Sequence, residues 1–313
     1  MRKLSKNTLI YGLGSVLNKS IGILLLPLLT RYLTPIDYGV IGILMMFSMF
    51  FSAILSLGFG TSIGIVYFEN KSYDKRLEVI YSSFWILLFI GVVFSLGSFF
   101  YIKEISYITL GQEKYWIETF LVIIATVIST ISMPLILNIQ FLEKPTHFVI
   151  GNILVSFFSL ILNVLLVVLL KRGLMGYFEA YLFTQILTFI VFSLINRFNF
   201  KFIFNKEISK KLFKYGMPMI PSFFSLFILS QGNRYILRYF TDLDRVGIYT
   251  VGYNIGAVSQ IIVNSFQTAW TPYFLSFYDK QEEAFEHFGH ILKFYILIMG
   301  FISLCFFIFS KTI

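Results

Sequence analysis

Arg31-Tyr32-Leu33-Thr34-Pro35-Ile36-Asp37, near the amino terminus, returns in altered form as Arg238-Tyr239-Phe240-Thr241-Asp242-Leu243-Asp244. The likeness extends into the flanks. Tyr11-Gly12 precedes the first copy roughly as Tyr215-Gly216 precedes the second, and Gly39-Val40-Ile41-Gly42 after the first answers Gly247-Ile248-Tyr249-Thr250 after the second. Each copy joins a long apolar segment, a short charged turn with Arg and Asp, and a second apolar segment that opens near a Gly. Self-similarity of this kind points to a duplicated architecture.

Composition places the duplication in a bilayer. Of the 313 residues, 57% are hydrophobic and only 13% charged, with 38 Phe, whereas a soluble domain has roughly a quarter of its residues charged. A hydrocarbon core of about 30 Å needs about 20 mostly apolar residues as a helix. Nine segments meet that criterion: 8–30, 39–68, 79–102, 116–141, 148–170, 174–195, 215–239, 246–270 and 291–310. The expected fold is therefore an all-α polytopic membrane protein. The first apolar run is long enough to span and is not followed by a signal-cleavage pattern, so it is expected to remain in the mature chain. Cys305 is the one cysteine, which excludes an intrachain disulfide or a cysteine metal cluster. A net charge of +9 would suggest nucleic acid in a soluble protein; here the basic residues fall mainly in loops, where they orient the chain, and no nucleic-acid partner is expected.

Lys and Arg are concentrated in the segments that face inward if the amino terminus is cytoplasmic, with the densest cluster at Lys201, Lys206, Lys210, Lys211 and Lys214. The positive-inside rule then predicts a cytoplasmic amino terminus. That cluster also separates the repeats, so the chain divides into a six-span lobe over residues 1–200, a basic cytoplasmic linker over 201–214 and a second lobe of three spans over 215–313. Six spans before the linker make the repeats parallel, facing each other across a central cavity. The second lobe has about three spans fewer than the first, which reads foremost as a truncated or interrupted copy and otherwise as a naturally short lobe.

Polar rows within the spans mark packed interfaces or a wet cavity. The first span carries Thr8, Gly12, Ser15, Lys19 and Gly22; the eighth carries Tyr253, Ala257, Gln260, Asn264 and Gln267. Ser48, Ser52 and Ser56 in the second span read foremost as helix-to-helix contacts. Asn152, Ser156, Ser159 and Asn163 form a row in the fifth, and the seventh ends with Gln231, Arg234 and Arg238. Lys19 lies too deep to reach the interface easily, and an unpartnered cation at mid-span costs about 2.5–3.5 kcal/mol on insertion scales. It is the strongest candidate for a cavity role, followed by Arg234 and then by the interfacial Arg31 and Arg238. Glu118 and Glu179 are candidate proton or cation coupling sites, or else interfacial groups in water. Asp242 and Asp244 read as helix caps or turn residues.

Several of these segments carry a family resemblance. Leu26-Pro27-Leu28-Leu29-Thr30-Arg31-Tyr32-Leu33, Asp37-Tyr38-Gly39, Phe213-Lys214-Tyr215-Gly216-Met217-Pro218-Met219-Ile220-Pro221, Asn233-Arg234-Tyr235-Ile236-Leu237 and Val246-Gly247-Ile248-Tyr249 resemble Wzx-like oligosaccharide flippases. These belong to the multidrug/oligosaccharidyl-lipid/polysaccharide exporter superfamily. The resemblance implies two six-helix lobes, alternating access at a bacterial plasma membrane, and a polyprenyl-pyrophosphate-linked oligosaccharide as substrate, for an O-antigen, capsule or similar polymer. Partners would be membrane lipids and the polymerase and glycosyltransferases of the same polysaccharide. On this reading Lys19, Arg234, Arg31 and Arg238 face the pyrophosphate, Gln260, Asn264 and Gln267 the glycan. No metal, cofactor or catalytic residue is expected. The alternatives are a multidrug or cation antiporter, which would favour acidic cavity residues; a membrane glycosyltransferase using Asp242 and Asp244; and a non-transporting scaffold. A phosphate-binding Gly-x-x-x-x-Gly-Lys-Ser/Thr run does not occur, so transport would draw on an ion gradient, the substrate gradient or a partner.

Overall fold

The computed structural model describes residues 25–142, 144–197, 201–256, 263 and 281–309. Every regular element among them is helical. Helix α1, Pro35–Leu55, starts where the sequence supplies a complete capping box: the Thr34 side chain accepts from the Asp37 amide, and the Asp37 carboxylate accepts from the Thr34 amide at 2.8 Å. Pro35 occupies the first helical position, where a missing amide costs nothing. The apolar run expected as one span is broken after Ser56. Leu57 and Gly58 both adopt left-handed backbone (φ 47° and 73°), and α2, Phe59–Glu69, follows.

Beyond Ser72, whose side chain caps the next helix, come α3, Tyr73–Phe100, and the short α4, Ile102–Leu110, which stops at Gly111 with φ 70°. A 3-10 turn, Glu113–Tyr115, leads into α5, Trp116–Phe141, whose ends coincide with the predicted fourth span. Helix α6, Pro145–Asn163, ends in a π turn over Val164–Leu169, and α7 runs Gly173–Asn196. Then come α8, Lys206–Gly216, a 3-10 turn Met217–Met219, and α9, Ile220–Phe240. Helix α10 opens at Leu243 and occupies residues 243–250 of this unit.

Residues 1–250 and 251–313 form separate compact units. Six helical stretches among the described residues are long and apolar enough to cross a membrane: Pro35–Glu69, Tyr73–Phe100, Glu113–Phe141, Pro145–Leu169, Gly173–Asn196 and Lys206–Phe240. These correspond to the second through seventh expected spans. Most of the first and eighth lie outside the described residues. In the second unit, α11, Gln281–Phe309, contains the apolar stretch Ile291–Leu304 of the ninth.

In the first unit, α5 is the central helix, packed against α1, α3 and α7. One core cluster joins Phe59, Ile63, Val66 and Tyr67 of α2 to Ile80 and Leu87 of α3, Leu135 and Ile139 of α5 and Phe192 of α7. Another joins Phe51 and Leu55 to Phe84, Ile123, Val127 and Ile131. Hydroxyls and amides knit the same helices: Ser48 to Thr126 at 2.7 Å, Ser52 to Thr130 at 3.4 Å, Asn138 to Asn196 at 2.8 Å. In hydrocarbon such pairs hold helices together where the hydrophobic effect cannot.

The basic segment between the repeats is a docked strap. The Lys201 carbonyl accepts from Trp85 Nε1 at 2.9 Å, Phe202 packs on the Trp85 ring, and Asn205 Nδ2 donates to Glu78 at 3.0 Å. Asn205 also caps α8. Ile208 and Leu212, one turn apart, enter the core beside α2 and α3. At the end of the strap Glu69 accepts from Lys211 Nζ at 2.8 Å and from the Tyr215 hydroxyl at 2.9 Å.

Candidate functional site

Two features of the first unit are chemically and geometrically unusual for a membrane-spanning helix bundle. One is the polar row on α9. Phe224 and Phe227 seat this helix against Phe50 of α1, with ring centroids 5.3 and 5.4 Å apart. Farther along, Gln231 and Arg234 stand one turn apart, each only 8% exposed, and Arg234 Nη1 donates to Gln231 Oε1 at 3.0 Å. The guanidinium is a cation, and the Gln231 amide oxygen is one of its partners. A cation held out of bulk water interacts with an anion more strongly than one in water.

Arg238, the next member of the row, has a different role. Its Nη2 donates to the Leu110 carbonyl at 2.7 Å and its Nη1 to the Thr241 carbonyl at 3.2 Å. The last carbonyls of a helix lack intrahelical partners and carry partial negative charge; Arg238 supplies a cation to that end of α4. Arg31, its counterpart in the heptapeptide, is exposed. Of the remaining candidates, Glu179 pairs with Arg172 at 2.7 Å, and Glu118 is half-buried in the first turn of α5. Lys19, Gln260, Asn264 and Gln267 lie outside the described residues. The structure thus brings Gln231 and Arg234 together and directs Arg238 to backbone carbonyls.

The other feature is the crossing of the two repeat copies. In copy one the Tyr38 amide donates to the Thr34 carbonyl at 3.1 Å; in copy two the Val246 amide donates to the Asp242 carbonyl at 3.3 Å. Structurally, then, Thr34 corresponds to Asp242, Pro35 to Leu243, Gly39 to Gly247 and Gly42 to Thr250. The helices α1 and α10 meet through these same residues. A methyl group added at Gly39 would overlap the Leu243 carbonyl, and one added at Gly247 would overlap the Pro35 carbonyl. At Gly42 it would overlap the Thr250 hydroxyl, 3.3 Å from that residue's Cβ. Exchanging the copies turns the Gly39–Leu243 contact into the Gly247–Pro35 contact and leaves Gly42–Thr250 unchanged. Such reciprocity defines a two-fold, isologous interface, here within one chain. The glycines were legible as part of the repeat; that they face each other was not, because a repeat pattern carries no information about how its copies pack.

Residues 4–277 match the family of polysaccharide biosynthesis proteins. The chain belongs to that family. Among solved structures it is similar to one described as the inward-facing conformation of a multidrug resistance MATE family transporter of the MOP superfamily. The TM-score is 0.55 at 17% identity, over 80% of this chain and 58% of the other. At that identity the likeness concerns the fold: a multi-pass helical architecture of transporter type. The chain spans little more than half the length of that transporter. No curated protein sequence matches it.

Proposed function

We propose that this member of the family is a flippase, not an enzyme, that moves a polyprenyl-pyrophosphate-linked oligosaccharide across a bacterial plasma membrane by alternating access, with its amino terminus in the cytoplasm. The observation that carries this reading is the buried Arg234–Gln231 pair, in a chain of the polysaccharide biosynthesis family. A pyrophosphate needs a cation away from bulk water, sugar hydroxyls need amide and hydroxyl partners, and the polyprenyl tail can remain in lipid. Lys19, with Gln260, Asn264 and Gln267, would extend the anion and glycan surfaces. Arg31 would attract the substrate near the interface, and Glu118 or Glu179 would couple transport to an ion. The polymerase and glycosyltransferases of the same polymer are the expected partners. The solved transporter is described as a multidrug protein, but a carrier of cations would favour acidic residues in its cavity, whereas the charge deepest within an apolar run of the sequence is Lys19.

Cells lacking this chain should accumulate lipid-linked repeat units and lose the surface polysaccharide. Cells carrying Arg234→Ala should show the same defect while the protein remains in the membrane. Normal surface polymer with Arg234→Ala would refute the assignment of that residue. An unchanged lipid-linked pool on deletion would refute the flippase reading and favour drug export, and a shortened glycan would favour the glycosyltransferase.

A further inference from the structure

We infer that the strap and α8 form a binding surface for anionic phospholipid: the lysines of α8 hold headgroup phosphates, and Phe202 and Phe204 enter the acyl chains beside them. The inference is separate from the substrate proposed above and needs only that the chain lies in a bilayer.

Depth along α3 lays out the two parts of the surface. The apolar part of this helix begins at Val79, after Asp74, Lys75, Arg76 and Glu78. The strap meets α3 first at Trp85, through the Lys201 carbonyl, and then at Ser82 and Glu78, through the Asn205 amide and Nδ2. From Trp85 back to Glu78 is about 10 Å along a helix, so the strap climbs from the hydrocarbon to the charged layer at its edge. Phe202 and Phe204 lie on this climb and are 76% and 53% exposed. Phe202 rests one side of its ring on Trp85, centroids 5.3 Å apart, which fixes the depth of the strap. Aromatic rings left uncovered at that level are suited to lipid chains.

Helix α8 continues into the charged layer. The helical stretch Lys206–Phe240 is 35 residues long, whereas the hydrocarbon core needs about 20; the surplus is the charged α8. Ile208, Ser209, Leu212 and Gly216 are its buried side. Lys206, Lys210 and Lys214 repeat every fourth residue on the other side, and all three are exposed. Lys211, at the flank of that row, is taken by Glu69. Among the described residues no carboxylate pairs with Lys206, Lys210 or Lys214, and Glu207 is the one acid of α8. Like charges four residues apart on a helix repel. A layer of phosphates offsets that repulsion, and each lysine near an anionic leaflet strengthens binding about fivefold. An acidic protein could answer the lysines, but it would leave Phe202 and Phe204 uncovered; a phospholipid answers both.

Trp85 is the reporter for the test. The full chain carrying Trp116→Phe and Trp270→Phe is reconstituted in phosphatidylcholine vesicles containing either brominated phosphatidylcholine or brominated phosphatidylglycerol, whose bromines quench a neighbouring indole. Phosphatidylglycerol is expected to reach half-maximal quenching at a mole fraction at least fivefold lower. The triple variant Lys206→Gln, Lys210→Gln, Lys214→Gln should remove that preference. So should 1 M salt, where the screening length is about 3 Å. Equal quenching by the two lipids would overturn the inference, and so would a preference that survives the triple substitution. A preference unaffected by salt would overturn it without any substitution. Phe204→Ser should lower the preference about twofold, and an unchanged value would strike the aromatic half of the surface. None of these measurements involves transport, so failure of the flippase reading would leave the lipid surface standing, and its own failure would leave the flippase reading untouched.

Discussion

The two copies of the repeated turn have kept one property and lost another. Both present a glycine to the partner's backbone, Gly39 to Leu243 and Gly247 to Pro35. Their polar chemistry has diverged. Copy one is closed on itself, with Thr34 and Asp37 satisfying each other's amides. In copy two the corresponding residues are Asp242 and Arg245, which cannot form that box. There Thr241 Oγ1 donates back to the Leu237 carbonyl at 2.7 Å, and Arg238 reaches across to Leu110. The copies thus share the close approach of glycine to backbone rather than the whole set of contact residues: Gly39 answers Gly247, but Pro35 answers Leu243 and Gly42 meets Thr250.

Three predictions bear on that comparison. The largest effect is expected at the glycines. Gly39→Leu and Gly247→Leu should each abolish surface-polymer production, and to a similar degree, since each meets the other copy's backbone. Overpacking of this kind typically costs about 1–3 kcal/mol, and normal membrane levels with lost production would place the defect in function rather than in insertion. Gly97→Ala, where an added methyl group meets nothing within 4 Å, should leave production intact. If only one of the two glycines matters, the crossing is not reciprocal in function.

An intermediate effect should separate the arginines. Arg238→Ala removes a charged donor from the Leu110 carbonyl, a bond worth about 1.5–3 kcal/mol, and should lower the midpoint of thermal unfolding in detergent by several degrees. Arg31→Ala, at an exposed position, should shift it little. Equal shifts would mean that both arginines are structural.

The smallest effect concerns the caps. Thr34→Ala, which breaks the box, should destabilise by about 0.5–2 kcal/mol. Thr241→Ala, in the copy without a box, should cost less in the same unfolding assay. The reverse order would show that the second turn depends on its own hydroxyl more than the first depends on its cap.

How much of this was legible varies with the physical range of each interaction. Helix α5 could be bounded in advance because an apolar run flanked by polar turns is a local property of the chain. The capping residues Thr34 and Asp37 belong to the same class, three positions apart. The break at Leu57 and Gly58 was not legible: it lies within a continuous apolar run, and its close partner, Gly216, is remote in sequence. The strap read as a charged linker because its five lysines stand out, although six of its fourteen residues are apolar, among them Phe202, Ile208 and Leu212, which dock it. The repeat itself shifts by one residue between turn and flank: Arg31 aligns with Arg238 but Gly39 with Gly247, and the helices, starting at Pro35 and Leu243, follow the glycines.

By itself, the sequence determined that this is a polytopic helical membrane protein with a duplicated turn, because the hydrophobic length and the repeat are written along the chain. It also identified Gln231 and Arg234 as a polar row, since one helical turn separates them. Only the tertiary structure decided that Arg238 closes a helix end, that the strap is docked, and that the two copies cross glycine to backbone. Each of those depends on which distant segments come within a few ångströms of one another, and that is set by packing rather than by local order along the chain.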